Sequence, residues 1–240
     1  QLKPGDEILT TDHEYGACDY TWNFICDKVG ANYIHQPIPL PVSSEEEIVQ
    51  QFWRGVTSRT KVIYLSHITS PTALRMPVEQ ICKRAKEAGI LTVIDAAHSP
   101  GQIPVDLQAL DADIVFGNCH KWMLNAKGSA FLYVKQGLQP LIDPLIVSWG
   151  YHPTPETTTG SRFIDILQWT GTKDPTAALT VPTAIQFLRD NHWDDVRKEC
   201  HDLLRRGIEQ ICDLVNMPPL YPLDSDLYSQ MGIAPLPLSN

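Results

Sequence analysis

No CxxC pair and no zinc-ligand spacing link the six cysteines, Cys18, Cys26, Cys82, Cys119, Cys200 and Cys212. A chain of 240 residues can also build its core without disulfides. Reduced thiols and a cytoplasmic setting are therefore expected. Positive charge is scarce, with 19 Lys and Arg against 28 Asp and Glu. No basic stripe can track a phosphate backbone, so no nucleic-acid partner is expected. Apolar runs stay short of the roughly 20 residues that span a bilayer, and no charged-then-apolar leader is visible, so no membrane partner is expected either. The glycine spacings GxGxxG and GxxxxGK(S/T) are both missing, which removes the dinucleotide oxidoreductase and P-loop readings. There is no internal repeat and no low-complexity tract.

What is present is alternation. Strands are predicted at Asp6–Thr11, Ala31–Ile38, Lys61–Leu65, Leu91–Ile94, Asp113–Phe116, Ser129–Val134 and Leu145–Trp149. A helix carrying Trp22, Cys26 and Val29 separates the first two. Further helices are predicted after the Ser43–Ser44 cap, where three glutamates fill the first turn, and from Pro77 to Ala88 before Gly89. Two more run from Thr176 to Arg189 and from Trp193 to Val215. The pattern implies an α/β fold with a mixed, mostly parallel seven-stranded sheet and flanking helices. Residues 1–215 form the expected large domain, and the proline-rich MPPLYPLDSD opens an expected linker over 216–240.

Two neighbouring runs deliver chemistry to one edge of that sheet. LTVI is followed by Asp95, and DIVF by Gly117 to Lys121. Ligands in open α/β sheets gather at the carboxyl ends of the strands. A carboxylate there can keep a pyridinium nitrogen protonated while an amine forms a Schiff base, the minimum for pyridoxal 5′-phosphate (PLP) chemistry. The blander alternative has Asp95 capping the turn after its strand. Histidines at three strand ends, His67, His98 and His120, with Asp95, leave a zinc hydrolase open; that reading gives Lys121 no role, and no compact HExxH motif supports it.

Five motifs in order carry a resemblance: DHEYGAC (12–18), SHITSPT (66–72), DAAHSPG (95–101), GNCHKW (117–122) and WTGTKDPTA (169–177). Together they resemble the class V aminotransferase-like PLP enzymes of fold type I, nearest in wording to the isopenicillin N epimerase-like branch. The resemblance spans residues 1 to 200. It implies PLP bound to Lys121, Asp95 at the pyridine nitrogen, and His98 at the phenolic oxygen, where other branches carry Gln. It also implies Tyr15 stacked on the ring, His120 and Asn118 near the phosphate, and Ser70 near the ring. Asn118 departs from the Ser of many relatives, and His67 is expected to support its strand end. Gly171 and Thr172 resemble a loop that reaches the phosphate of the other subunit, which implies a homodimer.

The substrate implied is a small amino acid or a derivative of one. Lys121 would act as base on its α-proton, and epimerisation would need a second acid, Tyr15 or a residue outside this sequence. Relatives of this kind are longer, with an N-terminal phosphate loop and a C-terminal small domain carrying a carboxylate-binding arginine. A cysteine desulfurase or C–S lyase of the same family, and a non-catalytic fragment, therefore stand beside the epimerase-type reading. Cys119, two residues before Lys121, is expected to be a packing residue and not a nucleophile.

Overall fold

Strands buried on both faces need continuous apolar runs, and parallel sheets covered by helices provide that burial. The computed structural model describes residues 1–237. It forms six strands: β1 (Glu7–Thr11), β2 (Asn32–Gln36), β3 (Thr60–Ser66), β4 (Leu91–Asp95), β5 (Ile114–Asn118) and β6 (Ala130–Val134). They lie in the order β2-β1-β3-β4-β5-β6, parallel except for β6, which runs antiparallel to β5. Central β1, β3 and β4 are largely buried, while edge strand β2 leaves its side chains partly exposed.

Helices α1 (Gly16–Val29), α2 (Glu45–Trp53), α3 (Val78–Glu87) and α4 (Leu107–Leu110) alternate with the strands; α5 (Arg162–Gln168), α6 (Thr176–Leu179), α7 (Val181–Asp190) and α8 (Trp193–Val215) follow them. Local chemistry explains α2. The Ser44 hydroxyl accepts from the Glu47 amide at 3.2 Å, and the Glu47 carboxylate accepts from the Ser43 amide at 2.8 Å, so orphan donors are satisfied where three acidic residues also favour the helix dipole. One face of the sheet packs Ile8, Tyr64 and Val93 with Cys26 of α1. The other packs Leu9, Ile63, Leu65, Ile94 and Val115 against α2, α3 and Ile208 of α8. No helix among the described residues is long and apolar enough to cross a membrane.

The α/β architecture matches the sequence expectation, with three local differences. The sheet has six strands among the described residues, because Leu145–Trp149 forms none; β6 does not take it up, and Leu145 and Trp149 stand 99% and 77% exposed. An apolar run makes a strand only where an edge supplies its hydrogen bonds. The helix expected over Thr176–Arg189 divides into α6 and α7, since Pro182 lacks an amide donor and is tolerated only in the first turn of a new helix. Residues read as a linker, 216–237, run back across the domain. Tyr221, Leu227 and Tyr228 are buried in the main core, the Tyr221 hydroxyl donates to the Thr72 carbonyl, and the Arg75 amide donates to the Leu227 carbonyl at 2.9 Å. Proline-rich composition specified the absence of helix there, not the absence of packing.

Candidate active site

The parallel strands end on one side, and their ends supply the site. Register pairs Ser66 of β3 with Asp95 of β4. Because side chains alternate along a strand, Tyr64 lies on the same face as Ser66. Its hydroxyl donates to Asp95 Oδ2 at 3.2 Å, and the Ala97 amide donates to Asp95 Oδ1 at 2.8 Å. Asp95 thus caps its turn with one oxygen and presents the other to the site, so the bland and the chemical readings of this residue hold together. Burial raises the Asp95 pKa, and the donors from Ala97 and Tyr64 and the charge of Lys121 oppose that rise. Cys18 of α1 completes the surroundings, its Sγ 3.7 Å from Oδ2. Burial, followed by the charge of Asp95, pushes the Tyr64 phenol far above its ordinary value, so it remains a donor.

Lys121 sits on the loop after β5. Its Nζ lies 3.1 Å from His98 Nε2 and 6.0 Å from the centroid of the half-exposed Tyr15 ring. Trp122, the next residue, donates from its indole Nε1 to His98 Nδ1 at 3.1 Å. Two glycines allow this closeness. A Cβ on Gly117 would stand 2.8 Å from the Ala96 carbonyl oxygen, and one on Gly101 would stand 2.2 Å from the Trp122 carbonyl oxygen, with Gly101 at φ +87° besides. The loops after β4 and β5 are therefore pressed together. Burial first, and the neighbouring Lys121 charge second, lower the His98 pKa to about 4.

Asp95, His98, Lys121 and Tyr15 converge; the other predicted residues are placed less tightly. His120 donates from Nδ1 to the Ser129 carbonyl at 3.1 Å, which commits the proton-bearing nitrogen of a neutral ring to the backbone. Asn118 closes β5, paired with Ala130, and Ser70 lies half-buried in the turn after β3. Gly171, at φ +115°, and exposed Thr172 lie between α5 and α6, with no hydrogen bond to the cluster among the described residues. His67 is 2% exposed, burial lowers its pKa to about 3, and neither ring nitrogen has a partner among the described residues. No three His, Cys, Asp or Glu side chains among the described residues gather as a metal-ligand set, so the strand-end histidines do not assemble the zinc site. Cys119 is buried, with its thiol pKa raised by that burial, as a packing residue should be.

Sequence reasoning missed three members of the neighbourhood. Tyr64 was legible in principle, since its parity with Ser66 puts it on the face of the strand-end pair. Cys18 had no such signal, because its approach to Asp95 crosses from α1 to β4. Glu14 is buried and accepts from the Ser66 amide at 2.9 Å, the Ser66 hydroxyl at 2.6 Å and the Thr11 hydroxyl at 2.7 Å. Burial raises its pKa to about 7 against the pull of those donors.

The mostly parallel sheet thus gathers an amine, an imidazole and a buried carboxylate at the carboxyl ends of adjacent strands, the edge where open α/β sheets hold ligands. The family model described as Aminotransferase class-V matches residues 1–222, and the chain belongs to that family. It is 31% identical over 98% of its length to isopenicillin N epimerase of Amycolatopsis lactamdurans, and 31% identical over 82% of its length to putative L-cysteine desulfhydrase 1 of Oryza sativa subsp. japonica. It spans 61% and 42% of those relatives respectively. The fold is that of the apo cysteine desulfurase of Thermococcus onnurineus NA1, with a TM-score of 0.79 at 19% identity over 95% of this chain and 56% of that one.

Proposed function

We propose that the protein to which this chain belongs is a PLP-dependent enzyme acting on an amino acid or an amino-acid derivative, of the isopenicillin N epimerase type. One observation carries the reading: Lys121 Nζ lies within hydrogen-bond reach of His98, on the strand edge that also presents Asp95, with an aromatic face 6.0 Å from the amine. The donor set fits the cofactor. A buried carboxylate suits a protonated pyridine nitrogen, an imidazole suits a phenolic oxygen, and an amine suits an aldehyde. When bound, PLP supplies a carbonyl for amines and a ring that accepts electrons.

The chain's own groups do the rest. Lys121 would hold the cofactor through its amine and serve as the base for a substrate α-proton. Asp95, kept in place by Tyr64 and Ala97, would hold a proton on the ring nitrogen. Tyr15 covers one face of the space beside Lys121. His120, Asn118 and Ser70 are proposed for the phosphate side, with Gly171 and Thr172 reaching the partner's site in a homodimer. Exposure of that loop beside the exposed residues Val147 and Trp149 supports the arrangement. A cytoplasmic setting fits six unpaired cysteines.

Borohydride reduction after PLP addition, followed by peptide mapping, tests the reading. The pyridoxyl label is expected on Lys121 and lost in Lys121→Ala; a label on Lys127 or Lys173 refutes the assignment. Absence of uptake under all conditions favours a non-catalytic fragment. The similarity to an L-cysteine desulfhydrase supports a second reading, C–S cleavage. In deuterated water the full-length protein is expected to exchange and invert the α-hydrogen of its substrate without releasing sulfide or pyruvate; release of either establishes the lyase reading instead.

A further inference from the structure

Tryptophan has one polar atom, and it only donates. The Trp122 indole N–H lies 3.1 Å from His98 Nδ1, so that nitrogen must offer its lone pair. A neutral imidazole carries one proton, and with Nδ1 accepting, the proton resides on Nε2. Nε2 faces Lys121 Nζ at 3.1 Å. The N–H side of the ring is therefore the one turned toward Lys121.

We infer that Trp122 is a positioning residue that fixes His98 in its Nε2–H tautomer, turning a donor toward the space beside Lys121. The inference deepens the PLP reading and rests on it for the use of that donor, since a ring N–H is what a phenolic oxygen accepts.

A second, independent feature keeps the relay in register. The Trp122 backbone packs so closely on Gly101 that a Cβ there would meet the Trp122 carbonyl carbon at 2.4 Å and the Met123 amide nitrogen at 2.7 Å. Gly101 belongs to the loop that carries His98. Indole and imidazole are thus held by backbone as well as by the hydrogen bond between them. Burial, which lowers the His98 pKa to about 4, keeps the ring neutral so that a single tautomer can be chosen.

Nitrogen-15 spectra of the 240-residue chain without cofactor, selectively labelled at histidine and tryptophan, test this directly, with His98→Gln assigning the His98 signals. The expected result is a protonated, pyrrole-type Nε2 and a pyridine-type Nδ1, with a scalar coupling across the hydrogen bond from the Trp122 indole nitrogen to Nδ1. In Trp122→Phe the coupling disappears, the His98 nitrogen shifts move, and the Nε2–H tautomer loses about fivefold to tenfold of its advantage, the effect of removing one hydrogen bond. A wild-type ring protonated on Nδ1, a missing coupling, or His98 shifts unchanged in Trp122→Phe each overturns the inference. The coupling is read in the wild-type chain, so the test remains decisive even if the variant fails to fold. The experiment uses no PLP: pyridoxyl labelling away from Lys121 would sink the cofactor reading and leave the tautomer intact, while an Nδ1–H ring would sink the relay and leave the labelling intact.

Discussion

The strand-end cluster and the segment from residue 141 to 180 are both ordered, but they spend their side chains differently. In the cluster, polar groups are buried and answered within the chain: Asp95 accepts from Tyr64 and Ala97, Glu14 from Ser66 and Thr11, and His98 from Trp122. In the segment the polar work is also internal, since Asp165 accepts from the Thr158 hydroxyl at 2.7 Å and from the Thr159 amide at 2.8 Å. Ile166 is buried, but several of the segment's larger apolar side chains face outward. Leu141, Leu145, Trp149 and Leu179 are each at least 70% exposed. Hydrogen bonding fixes the shape of both regions, and burial completes only one. An outward apolar surface on an ordered segment suits a site for another body, here proposed as the second protomer.

Breaking the cluster should have the largest effect. Asp95→Asn keeps the turn-capping oxygen but removes the charge that holds a proton on a ring nitrogen. The full-length variant should still take up PLP while α-proton exchange in deuterated water slows by about 10²- to 10³-fold, on the order of 3–4 kcal/mol of barrier. Exchange at the wild-type rate would show that Asp95 is a capping residue alone.

Glu14 sharpens the comparison through pH. Its folded pKa of about 7 exceeds the ordinary value of 4.5, so between those pH values the native state binds more protons than the unfolded chain. Stability therefore falls as pH rises through that window, by on the order of 3 kcal/mol in full. His98 and His67, lowered to about 4 and about 3, work the opposite way, and their contribution grows as pH rises toward 6.5. Glu14→Gln removes only the first trend. Urea melts at pH 5 and pH 8 should show the variant gaining on the wild type at the higher pH, and parallel behaviour of the two proteins would place the Glu14 carboxyl outside the buried network.

The outer segment should give the smallest change in folding. Trp149→Ser and Leu145→Ser are expected to change the folding stability of the 240-residue chain, read from urea melts, by no more than about 0.5 kcal/mol, because the wild-type side chains are exposed. In sedimentation of the full-length protein the same pair should weaken self-association. Unchanged association with loss of folding stability would mean that the segment is completed by its own chain.

The sequence by itself determined the βαβ order, the helix caps and the delivery of Asp95 and Lys121 to one sheet edge. Those follow from period-two and period-3.6 burial and from what proline, glycine and serine do to the local backbone, all of which act within a few residues. Motif order likewise made the class V resemblance legible. Strand number was not, because whether Leu145–Trp149 pairs depends on an edge that sequence neighbours do not describe. The contacts of Cys18 and Trp122 were hidden for the same reason: they meet Asp95 and His98 across gaps of 77 and 24 positions. Tertiary structure alone decided that Trp122 faces Nδ1 of His98, that residues 216–237 fold back onto the core, and which carboxylates lose their water. Hydrogen-bond direction and desolvation are properties of neighbours in space, and only the assembled sheet and its loops bring those neighbours together.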